Sequence, residues 1–188
     1  LATTMKHHPL LTALPALLVA DLRGRPCAEW AETSFRYAAR EHASHRPGSQ
    51  EILSRLSEML FVEAVRGHIE ALPGNATGWL AALRDPSLSR ALGALHGNPA
   101  QAWTTDALAK VACLSRSAFA EKFTGTVGLP PMSYLTRWRM LLAGQRLRDT
   151  SETIAQIAGT VGYESESTFS RAFTREMGVA PGVWQKNN

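Results

Sequence analysis

The chain has 188 residues, of which 45% are hydrophobic and 19% are charged. This composition excludes a disordered chain, and the length suits one large domain or two small ones. Twenty Lys and Arg against 16 Asp and Glu give a formal charge of +4, which permits nucleic acid as a partner without establishing it. No apolar run of about 18 residues occurs, so the sequence predicts no membrane-spanning helix. Two cysteines are too few for a disulfide framework and suit a reducing cytoplasm.

The first 72 residues predict one short strand and two helices. The strand is expected over residues 16–20. A helix over about 28–43 has the candidate apolar face Trp30, Phe35, Ala38 and Ala39. A second helix opens with Ser49 as its N-cap and ends near Leu72, and its apolar stripe is Leu53, Leu56, Leu60 and Ala64. Because the chain begins with Leu1 rather than Met, we expect a fragment of a longer protein.

A third helix is predicted from Asp85-Pro86 to Gly97. Asp85 is a good N-cap, and Pro86 suits the first helical position. The apolar residues Leu88, Leu92 and Leu95 give this helix one face for the core.

The second half of the chain contains an internal repeat. Five residues of the first copy recur fifty positions later with the same residue types: Ser115, Phe119, Phe123, Gly128 and Pro131. Upstream of the serine, LAKVA at 108–112 aligns with IAQIA at 154–158, an offset of 46. This alignment predicts four extra residues between the two helices of the second copy. It also places Ala109 and Ala112, and their counterparts Ala155 and Ala158, where another helix approaches closely.

Each copy has the pattern of a helix-turn-helix, in which Ser115 or Ser165 caps the second helix. Gly162 suits a turn that needs a positive φ. The paired phenylalanines of each copy lie four residues apart and point to the core. At 100° per residue, the opposite face carries Ser117, Glu121 and Thr124 in one copy and Ser167, Arg171 and Thr174 in the other. Such a polar, short-chained face suits entry into a major groove about 12 Å wide.

A long helix over about 132–149 joins the two copies. Seventeen helical residues span about 26 Å. That length can hold two recognition helices about 34 Å apart, which is one turn of DNA. Its arginines are expected to be structural or loosely directed to phosphate, and they are Arg137, Arg139, Arg146 and Arg148.

The region from about Asp85 to Gln185 resembles the DNA-binding domain of the AraC/XylS family of bacterial transcription regulators. The resemblance rests on WTTDALAKVACLSRSAFAEKF, GLPPMSYLTRWRM, IAQIAGTVGYESESTFSRAF and GVAPGVW. It implies an all-α fold: two helix-turn-helix motifs, at about 104–124 and 152–175, joined by the long helix and preceded by connector helices. It also implies a sequence-specific regulator, an activator or a repressor, that acts on DNA in the bacterial cytoplasm at the nucleoid.

The same resemblance implies which residues contact DNA. The positions that match the family's base-reading positions are Ser117, Ala120 and Glu121 in the first copy and Glu166, Ser167, Ser170 and Arg171 in the second. Arg171 can pair with guanine through two hydrogen bonds, and Glu121 can accept from cytosine N4. Arg116 lies in the first helical turn, where it suits a phosphate. The alternatives are that both glutamates are solvated surface groups and that Arg116 is a helix-end surface charge.

The resemblance divides the rest of the chain into two parts. Residues 1–27 are similar to the end of a cupin sensor, and residues 28–84 to a helical connector that makes dimer contacts. The effector-binding barrel is missing, so a small-molecule effector is expected only if the full-length protein retains that sensor. A homodimer through the connector and RNA polymerase are the further partners that the resemblance implies.

Other functional classes find little support in the residues. His42 and His45 have metal-like spacing, but no third ligand is evident, so we expect no metal and no cofactor. No catalytic triad, Cys-based pattern or phosphate-binding glycine loop occurs, so we expect no enzyme. A competing hypothesis is a truncated dimerisation module that does not bind DNA by itself. Steep salt dependence of DNA binding would separate a DNA-binding protein from that module.

Overall fold

The computed structural model describes residues 13–186, and every regular element within them is a helix. The chain divides into a hairpin unit over residues 14–74 and a larger unit that includes residues 75–186. Residues 28–186 form ten helices: α1 (Ala28–Ser44), α2 (Ser49–Ala71), α3 (Trp79–Arg84), α4 (Pro86–Gly97), α5 (Thr105–Val111), α6 (Arg116–Val127), α7 (Pro131–Asp149), α8 (Ile154–Thr160), α9 (Glu166–Met177) and α10 (Pro181–Lys186). None of the helices in the described part of the chain is long and apolar enough to cross a membrane.

The all-α prediction is confirmed, but the strand predicted over residues 16–20 is wrong. A strand needs a partner for its backbone groups, and residues 13–186 offer no other strand. The segment instead runs as bends and irregular chain, with Leu17 and Val19 exposed at 76% and 80%. The first twelve residues of the predicted sensor remnant lie outside the described residues.

In the hairpin unit, α1 and α2 pack against each other through a polar contact. The buried Glu41 carboxylate accepts a hydrogen bond from Ser49 Oγ at 2.7 Å and one from the Arg46 guanidinium. These two groups, the hydroxyl first, hold the pKa of Glu41 below its usual value. Ser49 therefore does not cap α2 as predicted, since its hydroxyl donates to Glu41. The N-cap position is Gly48, with φ of 84°.

The apolar face predicted for α1 is wrong in part. The buried residues of α1 are Ala31, Ser34 and Glu41, whereas Phe35 is 59% exposed. At 100° per residue the three buried positions share one face of α1, and Phe35 lies at the edge of that face. The predicted stripe of α2 is half-buried along its length: Leu53, Leu56, Leu60 and Ala64.

The first half of the larger unit encloses its own core. Helices α3 to α6 surround it, and Leu88, Leu92 and Leu95 of α4 are fully buried there, as predicted. Asp85 caps α4 by accepting from the backbone N–H groups of Ser87 and Leu88 at 2.9 and 3.1 Å. The short helix α3 was not predicted. It belongs to the larger unit, which includes residues 75–186, although the sequence assigned residues 28–84 to the connector.

The helix α7 joins this core to a second one. Tyr134 and Leu135, near its start, are buried in the first core. Met140, Ala143 and Leu147, further along, are buried in the second core with α8, α9 and α10. The predicted joining helix is thereby confirmed, and it begins at Pro131, one residue earlier than expected.

Candidate nucleic-acid interface

Two helix-turn-helix motifs are present, α5–α6 and α8–α9, and the same residue types cap their helices. Thr104 and Thr153 cap the first helices, and each accepts from the backbone N–H three residues later. Ser115 and Ser165 cap the second helices as predicted, since each hydroxyl accepts from the amide three residues on, at 3.3 Å. The two second helices each have 12 residues and end at a glycine with φ near 80°.

The structure corrects the alignment of the first helices. Helices α5 and α8 both have seven residues and lie 49 positions apart, not 46. The Leu114 amide donates to Ala109 O, and the Tyr163 amide donates to Ala158 O, both at 2.9 Å. The second motif therefore has one extra residue, Glu164, rather than four.

Helical periodicity explains why the sequence alignment slipped. A shift of three residues turns a helix by about 300°, so an apolar pattern nearly matches itself after one turn. Leu108 and Ala109 correspond to Ile157 and Ala158, and all four are buried. Ala155 is exposed, so its predicted role at a close helix contact is wrong.

The two turns use different residues for one backbone conformation. Gly162 has φ of 85°, as predicted. At the matching position of the first motif, Cys113 has φ of 57°, which is uncommon for a residue with a side chain. A Cβ added to Gly162 would lie 2.5 Å from the carbonyl oxygen of Ala100, so the two backbones touch there.

Aromatic side chains support both second helices from below. The rings of Phe119 and Phe123 lie 5.5 Å apart, and those of Phe169 and Phe173 lie 5.6 Å apart. All four phenylalanines are fully buried, as predicted. Tyr134 meets Phe123 edge-on at 5.7 Å, and Trp184 meets Phe173 in the same way at 5.8 Å. In each motif these rings form an aromatic layer beneath the second helix, called its aromatic floor below. The two equivalent floors hold α6 and α9 with the same face outward.

The outward faces carry the residues predicted to contact DNA. On α6, Ala120 is half-buried, and the exposed residues are Arg116, Ser117 and Glu121. On α9, Ser170 is half-buried, and the exposed residues are Glu166, Ser167 and Arg171. The fold thus gathers the predicted residues on two equivalent helix faces.

The charges on these faces are available to a partner. Within residues 13–186, neither Arg116 nor Arg171 forms an ion pair, and neither do Glu121 and Glu166. Lys122 of α6 differs, since its ammonium lies 2.5 Å from the Asp85 carboxylate. Burial raises the pKa of Asp85, but Lys122 and the backbone amides of α4 together lower it by more. The net shift of this pKa is therefore downward.

Sequence reasoning missed one feature of this surface. Arg175 follows Arg171 by one helical turn, and the two line a shallow depression with Ser170 and Thr174. The spacing of four residues on one helix is a signal that could have found it.

Arg139 was predicted to be structural or loosely phosphate-directed, and the structural role is confirmed. Its guanidinium donates to three backbone carbonyls: those of Pro99 at 2.7 Å, Gln101 at 2.8 Å and Gly162 at 3.4 Å.

Within the described residues, no group of three or more His, Cys, Asp and Glu side chains could hold a metal ion. His42 and His45 have ring centroids 6.4 Å apart at the C-terminal end of α1.

Comparison with known proteins follows the same division of the chain. Residues 108–187 match the family model described as a helix-turn-helix domain, and residues 3–70 match the one described as a cupin. A protein of Streptomyces lividans described as an AraC-like transcription regulator is 42% identical over 95% of this chain and 58% of its own length. The transcriptional regulator AlkR of Acinetobacter baylyi is 40% identical over 96% of this chain and 59% of its own length. The chain belongs to the AraC family of transcription regulators.

Solved structures of AraC-type proteins are similar to this chain over somewhat more than half of its length. An AraC-type regulator from Chromobacterium violaceum matches with a TM-score of 0.53 and 26% identity, over 56% of this chain and 95% of its own. The DNA-binding domain of AdpA, solved with a target DNA, matches with a TM-score of 0.51 and 26% identity, over 55% of this chain and 92% of its own. This AraC-family chain spans somewhat more than half the length of the curated relatives above.

Proposed function

We propose that this chain binds double-stranded DNA sequence-specifically and regulates transcription, with α6 and α9 reading two successive major-groove segments. The observation that carries the proposal is the pair of equivalent motifs, each with a buried aromatic floor and an exposed polar face. The similarity to the AdpA domain, which was solved with its target DNA, supports it. The function needs no cofactor and no catalytic group of this chain.

The eight predicted residues divide into two roles. Ser117, Ala120 and Glu121 on α6 lie where base edges would be, with Glu166, Ser167, Ser170 and Arg171 doing the same on α9. Arg116, in the first turn of α6, serves the phosphate backbone. Base contacts set sequence preference, whereas phosphate contacts set affinity and its dependence on salt.

Replacing Arg171 with Ala is expected to weaken binding to the preferred site by about 1–3 kcal/mol and to relax base choice at one position. Arg171 is exposed and forms no ion pair within residues 13–186, so the change removes a DNA contact without breaking a protein one. Binding to a scrambled duplex should change much less. The measurement is fluorescence anisotropy on the two duplexes at several salt concentrations.

The matched control is Arg116→Ala, which removes the same charge from the first motif. It should weaken binding to both duplexes alike and reduce the salt slope by about one unit. If Arg171→Ala lowers both affinities equally, Arg171 contacts the backbone and its base-reading role is wrong. If the unaltered chain binds neither duplex at low salt, the dimerisation module is the better hypothesis.

The remaining partners extend the proposal to the full-length protein. The hairpin unit has exposed apolar side chains on both helices, including Phe35, Met59, Phe61 and Val62, and these suit a homodimer through α1 and α2. The cupin match over residues 3–70 supports a full-length protein with a sensor, and a small-molecule effector would bind there. A regulator of this kind would work in the cytoplasm at the nucleoid, with RNA polymerase as its target.

A further inference from the structure

The larger unit, which we call the DNA-binding unit from here on, has two halves with separate cores. One consists of α3 to α6 with the start of α7, and the other consists of α8 to α10 with the rest of α7. Helix α7 passes from the first core to the second between Leu135 and Met140, which are buried in different cores. We call this stretch of α7 the changeover. No residue of α7 between Leu135 and Met140 belongs to either core, so contacts between the two halves are what can keep the two recognition helices at a constant spacing.

Arg139 occupies this changeover and contacts both halves. Its Nε donates to Pro99 O and its Nη2 to Gln101 O, at 2.7 and 2.8 Å. Both carbonyls belong to the segment that leads from α4 into the first motif. Its Nη1 donates to Gly162 O, in the turn of the second motif, at 3.4 Å. One planar guanidinium thus bridges the segment before the first motif and the turn of the second motif.

The same contact reaches the floor of the second recognition helix. The Arg139 guanidinium carbon lies 5.7 Å from the centre of the Tyr163 ring, which meets Phe169 edge-on at 5.8 Å. Beside this contact the backbones of the two halves also meet, because Gly162 touches Ala100 with no space for a Cβ. Burial lowers the pKa of the Arg139 guanidinium, while the nearby Tyr163 raises it.

The segment that receives Arg139 is itself fixed to the first core. The Trp103 indole N–H donates to Asn98 O at 2.9 Å, and its backbone N–H donates to Gln101 O at 2.7 Å. The Trp103 ring packs against the first core. Movement of the second motif relative to Arg139 would therefore break contacts that the first half holds in place.

From this geometry we propose that Arg139 is a positioning residue that sets the distance between the two recognition helices, and thereby the base-pair spacing the protein accepts between its two half-sites. Arg139 touches no base in this account. The proposal rests on the proposed function for its DNA consequence, but the distance between the helices can be measured without DNA.

The direct test measures that distance in the free protein. Spin labels are attached in a Cys27→Ser, Cys113→Gly background that carries Ser117→Cys and Ser167→Cys, the matching first-turn positions of α6 and α9. Glycine suits position 113, since the equivalent residue of the second motif is Gly162. Double electron–electron resonance should give one narrow distance distribution. Arg139→Ala should broaden the distance distribution. Arg139→Lys keeps the positive charge but lacks the planar guanidinium with its several N–H donors, so it should give an intermediate width.

Arg137→Ala is the matched control, since it removes an exposed arginine from the same helix two residues earlier. It should leave the distribution narrow. A narrow distribution in Arg139→Ala, or a broad one in the unaltered chain, overturns the proposal. If circular dichroism shows that Arg139→Ala and Arg139→Lys both fail to fold, Arg139 is a folding residue and the proposal is also overturned.

The DNA consequence is tested on unlabelled protein. Inserting one base pair between the two blocks of the preferred site should cost the unaltered chain about tenfold or more in affinity, because one motif loses its base contacts. The same insertion should cost Arg139→Ala less than about threefold. An equal penalty in both proteins overturns the spacing role. Failure of the unaltered chain to bind any duplex defeats the proposed function instead, and the spin-label result still stands.

Discussion

Phe169→Ala is expected to destabilise the DNA-binding unit by about 3–5 kcal/mol, because it deletes a fully buried ring. The ring lies between Tyr163 and Phe173, beneath α9. A domain has a total free energy of unfolding of about 5–15 kcal/mol, so a loss of this size would disrupt much of the second core. DNA binding should fail because folding fails. Urea unfolding followed by circular dichroism, with anisotropy on the preferred site, measures both effects.

The control is Val183→Ala, which shortens a side chain of the same unit at a position on α10 that is 48% exposed. We expect its unfolding free energy to stay within about 0.5 kcal/mol of the unaltered chain, as for most surface substitutions. Phe169→Ala protein that keeps its stability yet loses DNA binding would show that Phe169 faces outward, and the assigned face of α9 would be wrong.

Gly162→Ala is expected to disrupt the turn of the second motif. The backbone there has φ of 85°, which costs a residue with a Cβ about 1–2 kcal/mol. The added Cβ would also lie 2.5 Å from Ala100 O, so one of two backbone segments must move. We expect a loss of stability beyond the backbone cost alone, with weaker DNA binding. Thermal unfolding of the purified variant measures the first effect.

Gly159→Ala is the control, three residues earlier on α8. Nothing lies within 4 Å of a Cβ placed there, and the residue is helical. Alanine should stabilise such a position by up to about 1 kcal/mol. If Gly162→Ala is as stable as Gly159→Ala, the close approach of residue 100 to this turn does not exist in solution.

The DNA-binding half was the most predictable part of the chain, for physical reasons. Its helices have strong local signals, such as Asp85 before Pro86 and a serine N-cap before each recognition helix. The phenylalanine pairs four residues apart fix the buried face of both recognition helices. These signals involve residues within one or two helical turns of each other, so a single sequence is enough to identify them.

What the sequence concealed depends on contacts between distant segments. The repeat offset was wrong because helical patterns match themselves after one turn, and only the hydrogen bonds to Ala109 and Ala158 decide between the registers. Phe35 was predicted to be core, but it lies at the edge of the buried face of α1 and is mostly exposed. The bridging role of Arg139 depends on Pro99 and Gly162, which lie 40 and 23 residues away along the chain.

Selection of binding sites from random duplex DNA with this chain tests the central claim most directly. Two recognition helices with matching outward faces should select two conserved blocks whose centres lie about one helical turn, about 34 Å, apart on one face of the duplex. A single conserved block of three or four base pairs would contradict this account, because one of the two motifs would then be only a structural support.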